Sequence, residues 1–410
     1  MRTCLLFYFS LVLSSFILAQ KENFIIGTIL IPKNLVGYDI RIINSHEEVA
    51  RDPDDWDPYI NVLFKNEEQI KNSIITVNDE KINFSYFYKF PKEGSYTIKI
   101  EFNQALKSGA NLFESCNHYT SLDLSNFDSS ELVSTFRMFM YNDKLETIDL
   151  TNFNTKNVIS MTDMFSFCTE LNSLDLSSFD TQKVEDMDGL FSRCYKIASL
   201  DLSNFDISNL KQGLNYIFAY CSSLVSVNLK TFNTENIEYM MSLFEGCESL
   251  TSIDLSHFNT KNVVNMADMF RDCKNLKSIN LSNFDTANLR NMWGMFNGCE
   301  NLESINLANF DTKKVIVMNE LFSNCFSLTS LNLKNFDTAN VEGMNNMFSG
   351  CKNLKELDLS SFTSNKLRGA FSMFEDCTSL ELIDFSHFNE CCYNKRNMFK
   401  NCNAKVIWQN

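Results

Sequence analysis

From about residue 111 onward the apolar and polar positions repeat as L-x-x-L-D-L-S-N-F-D-T-x-x-V-x-x-M-x-x-M-F-x-x-C. One unit opens with Leu145, Ile148, Leu150 and Phe153, and the spacing returns from Leu171, Ile197, Leu224, Leu250, Leu276, Leu302, Leu328, Leu354 and Leu380. Successive starts lie 26 residues apart, except for the 27-residue step from Ile197 to Leu224. A degraded copy with Leu122, Leu124 and Phe127 precedes them, after a fragment holding Leu112, Phe113 and Cys116. The alternating segment predicts a short strand with one buried face. The Asp-Thr pair behind each Phe predicts a side-chain cap on a helical turn. Val158, Met161, Met164 and Phe165 then fall on one side of a predicted helix or 3₁₀ segment. The expected fold class is an α/β solenoid of about eleven stacked 26-residue strand–turn–short-helix units, with parallel strands about 4.8 Å apart.

The chain before the repeats has a different pattern. Residues 23–31, 38–43, 74–77, 82–90 and 95–102 alternate as strands, with Asn78-Asp79 as a hairpin turn. Residues 20–110 are therefore expected to form a β-rich N-terminal module that caps the first edge of the solenoid at 111–403, since a bare edge invites aggregation. Residues 404–410, with Lys405-Val406-Ile407-Trp408, predict a C-terminal capping strand. Arg2, the apolar run from Leu5 and the small residue Ala19 make residues 1–19 a signal peptide cut after Ala19. That run is shorter than the about 20 residues needed to span a bilayer, so no transmembrane segment is expected in the mature chain.

Composition follows from the repeat. Of the 37 Phe, 23 stand in two columns, one from Phe127 to Phe388 and one from Phe113 to Phe399. The 4 Pro all precede residue 92, as expected if proline would remove a ladder donor from a stacked coil. The net charge of −15 argues against nucleic acid and anionic lipid as partners.

Strand, turn and short helix within 26 residues match the range of leucine-rich repeats. The wording L-x-S-L-D-L-S-N-F-D-T…V…M…M-F…C over residues 111–403 resembles the BspA-like leucine-rich repeat surface proteins of bacteria and protists. That resemblance implies a solenoid displayed outside the cell, adhering to host or matrix proteins, and carries no catalytic residues. Two units depart from the pattern: Asn142 stands where Cys is usual, and the last unit, with Cys391-Cys392, is one residue short.

The candidate chemistry is sparse. Cys116, Cys168, Cys194 and their equivalents to Cys402 share one repeat position, where stacked side chains point the same way. They suit buried reduced thiols better than disulfides or tetrahedral metal ligands. Cys391 and Cys392 leave a local disulfide open. Asp149, Asp175, Asp201, Asp254 and Asp358 lie between inward-facing positions and are expected to point outward. Lys230, Lys334 and Glu356 depart from the Ser-rich columns beside them. These eight are the ligand-face candidates, with calcium bridging of the carboxylates as a lesser alternative. The acidic run from Glu47 to Asp57 lacks the glycine and alternate oxygen ligands of a calcium loop and suits a solvated loop. Four scattered His and the absence of H-E-x-x-H, G-x-S-x-G and C-x-x-C leave no catalytic, cofactor or metal residues to name. Asn83 is the better of two glycosylation sequons, Asn280 lying within a predicted strand. The expected function is a secreted or cell-surface, non-enzymatic recognition or adhesion protein whose polar solenoid face binds an extracellular, host or matrix macromolecule. The alternatives are a self-assembling surface coat and, remotely, an extracellular hydrolase.

Overall fold

The computed structural model describes residues 22–51, 62–211, 213–388 and 394–408. Predicted features at 1–19 and at Cys391-Cys392 lie outside the described residues, as does the acidic run beyond Arg51.

The N-terminal segment folds as strands β1 (Phe24–Ile31), β2 (Asp39–Arg41), β3 (Ile74–Val77), β4 (Glu80–Ile82), β5 (Phe87–Lys89) and β6 (Gly94–Glu101). The stretch expected as one strand at 82–90 is divided between β4 and β5. Asn78 and Asp79, at φ 48° and 66°, turn β3 into β4, because two consecutive left-handed residues match the twist of a hairpin. Short α-helices at His46–Val49 and Glu67–Lys71 complete the module. Glu47, read as part of an acidic loop, is instead on the first helix, and its Oε2 accepts the N–H groups of Asn66 and Glu67 at the start of the second.

The module joins the repeats through one sheet, ordered β4-β3-β6-β1-β7-β8, where β7 is Tyr119–Asp123 and β8 Thr147–Asp149. Strand β1 runs antiparallel to both β6 and β7, so the first coil of the solenoid meets a paired strand. Tyr119 is fully buried at this joint, its hydroxyl donating to the Ile42 carbonyl at 2.8 Å. Gly27 of β1 lies against the Tyr119 ring, where a Cβ would collide with it. The strand side continues with β9 (Ser199–Asp201), β10 (Ser226–Asn228), β11 (Glu356–Asp358), β12 (Leu382–Phe385) and β13 (Lys405–Trp408), paired in parallel.

The core is a set of ladders. Phe113, Phe139, Phe165, Phe191, Phe218, Phe244, Phe270, Phe296, Phe322, Phe348, Phe374 and Phe399 stack ring on ring at 5.3–6.0 Å. Phe127, Phe153, Phe179 and Phe205 begin a second stack.

The expected helix does not form, and the fold is a β-solenoid of about eleven turns rather than an α/β one. Among the described residues no α-helix occurs in the repeats. From Met161 to Cys168, alternate residues divide their bonding. The N–H groups of Met164, Ser166 and Cys168 close turns onto carbonyls three residues back. Those of Met161, Asp163, Phe165 and Phe167 reach the next coil, at Asp186, Asp188, Leu190 and Ser192. An α-helix would turn all these N–H groups inward and leave the coils unjoined on this side. The alternation requires left-handed residues at Asp163 (φ 54°) and Phe167 (φ 60°), and two such positions recur in each later coil.

Candidate functional site: strand side and left-handed edge

The strand-side candidates lie exposed or half-buried, and each aspartate among them also holds its own turn. The Oδ1 atoms of Asp149, Asp175, Asp201, Asp254 and Asp358 accept the N–H two residues on, at 2.9–3.0 Å. Asn280, Asn306 and Asn332 do the same at 3.1–3.2 Å. This is the Asx turn, and it stops each strand without a glycine. Hydrogen bonds from the hydroxyl and N–H of Thr151, Ser177, Ser203, Ser256 and Ser360 hold these carboxyls below the usual aspartate range. Lys334 Nζ lies 3.4 Å from Asp358 Oδ2, which brings two candidates together. Glu356 is exposed on β11, and Lys230 is exposed beside Asn228, whose Nδ2 donates to Asp201.

The residue behind each Phe does more than a cap. Asp180 Oδ1 takes the Gln182 N–H as expected, but Thr181 points to the neighbouring coil, where its hydroxyl donates to Asp206 C=O at 2.9 Å and accepts Asp206 N–H at 2.7 Å. Thr312 bridges Asp337 in the same two-way manner. These threonines are at most 1% exposed, and this column of coil-to-coil bridges was missed by the sequence reading. Its signal was the recurrence of a hydroxyl residue at one repeat position, Thr at 155, 181, 234, 260, 286, 312 and 338 and Ser at 129 and 364.

The eleven cysteines from Cys116 to Cys402 are unpaired and buried. Cys194 Sγ donates to Phe165 C=O at 3.1 Å, and the column repeats this bond. Burial pushes the thiols of Cys168, Cys221 and Cys351 up to about 12. Asn142 replaces Cys without losing the bond: its Nδ2 donates to Phe113 C=O at 2.8 Å, the equivalent carbonyl. Asn83 is exposed, while Asn280 is committed to its Asx turn.

On the opposite side the left-handed columns form an edge with little repetition. One runs Tyr141, Phe167, Arg193, Tyr220, Gly246, Asp272; the other runs Arg137, Asp163, Gly189, Tyr216, Ser242, Asp268. A large side chain in this conformation costs about 1–2 kcal/mol, so Tyr and Arg here are retained against local preference. Burial raises the carboxyls of Asp163, Asp268 and Asp272 and pushes Asp188 up to about 6.

Among the described residues no group of three His, Cys, Asp or Glu is placed to hold a metal ion, and no helix is long and apolar enough to cross a membrane. A cavity of about 630 Å³ lies where the module meets the first coils, lined by Leu30, Leu35, His118, Lys144, Glu146 and Glu170 among others.

A solenoid of 26-residue coils thus defines the class. More particularly, the chain belongs to the family described as "Mycoplasma protein of unknown function, DUF285", which matches residues 107–226, 212–307 and 291–407. No curated protein matches the chain. Among solved structures it is similar to one titled "Crystal structure of TLR13-ssRNA13 complex", at 19% identity and a TM-score of 0.25, over 72% of this chain and 44% of that one. The chain therefore spans less than half the length of that protein.

Proposed function

We propose that this is a secreted or surface-displayed recognition protein that binds an extracellular macromolecule without catalysis. The observation that carries the reading is the continuous Phe stack with coil-to-coil bonds on both sides, which makes the repeats one rigid, extended support for a surface. The BspA-like wording of the repeats supports adhesion as the form that recognition takes. The apolar start ending at Ala19 supports export. The test is a pull-down of surface and matrix proteins with residues 20–410, run beside light scattering of the same material. A saturable partner with a monomeric bait is the expected result. Self-association alone, with no partner, would replace the reading with that of a laterally assembling coat. Secreted material should begin near Gln20 or Lys21, and recovery of Met1 from it would remove the export step.

A further inference from the structure

The left-handed edge already seats guanidinium groups. Tyr141 and Phe167 have ring centres 4.6 Å apart. The Arg193 guanidinium lies 5.0 Å from the Phe167 centre and 4.4 Å from that of Tyr220. The stack ends on Gly246, at φ +68°, where a Cβ would come within 2.6 Å of Tyr220 Cδ1, so the ring rests on bare backbone. Farther along, Arg271 Nη1 lies 3.1 Å from Asp268 Oδ1 and 3.3 Å from Glu320 Oε2.

Between these two arginines, among the described residues, Asp188 and Glu245 form no salt bridge. Tyr216 and Tyr239 are 43% and 39% exposed. Asp188 is held by the N–H and Nδ2 of Asn215, both at 3.0 Å, and Glu245 accepts the Tyr220 hydroxyl at 2.6 Å. These donors are neutral. Asp188 is thus tied to Asn215, next to Tyr216 in the chain, and Glu245 to Tyr220, four residues beyond it; burial and then Glu245, Asp268 and Asp188 raise the Tyr216 phenol. A ring face beside carboxylates is what a lysine or arginine side chain recognises. Exposed Tyr with Arg is also the usual composition of binding hot spots.

We propose that the edge centred on Tyr216, between Arg193 and Arg271, docks a basic segment of a partner protein, whose cation seats against the Tyr216 ring and pairs with Asp188 and Glu245. This rests on the recognition reading and names the surface and the partner's chemistry. The net charge of −15 favours a basic partner over an acidic one.

The probe is a fluorescein-labelled hexa-arginine peptide titrated into residues 20–410 and followed by anisotropy, with circular dichroism of every variant. Tyr216→Ala and Glu245→Gln should each weaken binding about tenfold, whereas Tyr216→Phe keeps the ring and should bind as the parent does. Glu303→Gln, an exposed charge on the strand side, should change affinity less than about twofold. Parental binding by Tyr216→Ala, or equal losses in Glu303→Gln and Glu245→Gln, would mean general attraction to an acidic chain and overturn the site. A partner from the pull-down that still binds Tyr216→Ala fully would also overturn it, while leaving recognition standing. Peptide binding localised to Tyr216 with no macromolecular partner found would do the reverse.

Discussion

The strand side and the left-handed edge come from the same 26-residue unit, yet one repeats its side chains and the other does not. The difference lies in what joins the coils. At the edge the backbone does most of this, through alternate N–H groups such as those of Asp163, Phe165 and Phe167, with a few side chains such as Asp188 and Asn215 taking part. Its side chains are therefore free to become Tyr, Arg, Asp or Gly. On the strand side the backbone ladder is thinner, and no strand is formed from 251 to 254, 277 to 280, 303 to 306 or 329 to 332. Side chains at and beside the strands carry the joining there: Thr181 and Thr312 bridge coils in both directions, and Asn283, Asn309 and Asn335 each bond two carbonyls of the preceding coil. Repetition marks structural use, and departure from it marks positions whose side chains the coil-to-coil joints do not prescribe.

The comparison breaks most visibly at the ends. Removing residues 20–110 leaves β7 without β1 and opens the strand side at its first coil, so the product should aggregate. Deleting the single coil Leu276–Asn301 restores equivalent neighbours on both sides and should leave a folded protein. Circular dichroism and light scattering decide. Two deletions that behave alike would mean that the coils are not interchangeable joints.

A smaller effect separates the two sides directly. Thr312→Val leaves the N–H and C=O of Asp337 without their buried partner and should cost about 2–4 kcal/mol in urea unfolding. Trp293→Ser, on the edge and 43% exposed, should cost less than about 1 kcal/mol. Similar costs would remove the distinction between joining and free side chains.

Much of the solenoid was legible because its core columns are apolar and periodic. The Phe and Cys columns, the closing strand at Lys405–Trp408 and the strands of the module follow from alternation and spacing, except that the run at 82–90 is two strands and not one. The helix was misread because Val158, Met161, Met164 and Phe165 are buried at helical steps, while burial alone does not report where an N–H points. The signal for left-handed turns was present as Gly or Asn at 189, 246, 294, 298, 324, 346 and 350, but Tyr216, Tyr220 and Arg193 at equivalent positions hid it. The strand-side acids were visible as a column, and their Asx turns were not. Tyr141, Phe167, Arg193 and Tyr220 keep the repeat's 26- and 27-residue steps and so were readable as a column, but their left-handed backbone and their place on the surface were not.

The smallest effect is electrostatic and has opposite signs on the two sides. Strand-side carboxyls such as Asp201 and Asp254 are held low by the Ser203 and Ser256 hydrogen bonds, so their contribution to stability is present above the ordinary aspartate pKa and lost as pH falls through the lower folded value. At the edge Asp163, Asp188, Asp268 and Asp272 are raised by burial, so the folded protein takes up their protons more readily than the unfolded chain. Asp188 thus opposes folding at neutral pH, and that opposition is relieved as pH falls through about 6 and is gone below the ordinary value. His118 acts against this relief: burial lowers its pKa, and it loses stability as pH falls below the ordinary histidine value. Global unfolding would sum these terms, so the decisive measurement is site-resolved carboxyl ¹³C titration by NMR. Asp188 should show a midpoint near 6, and Asp201 and Asp254 should titrate below an unstructured aspartate. If all three share one midpoint, the carboxylates at the edge are as solvated as those on the strands. The edge would then hold no desolvated charge for a partner's cation to relieve.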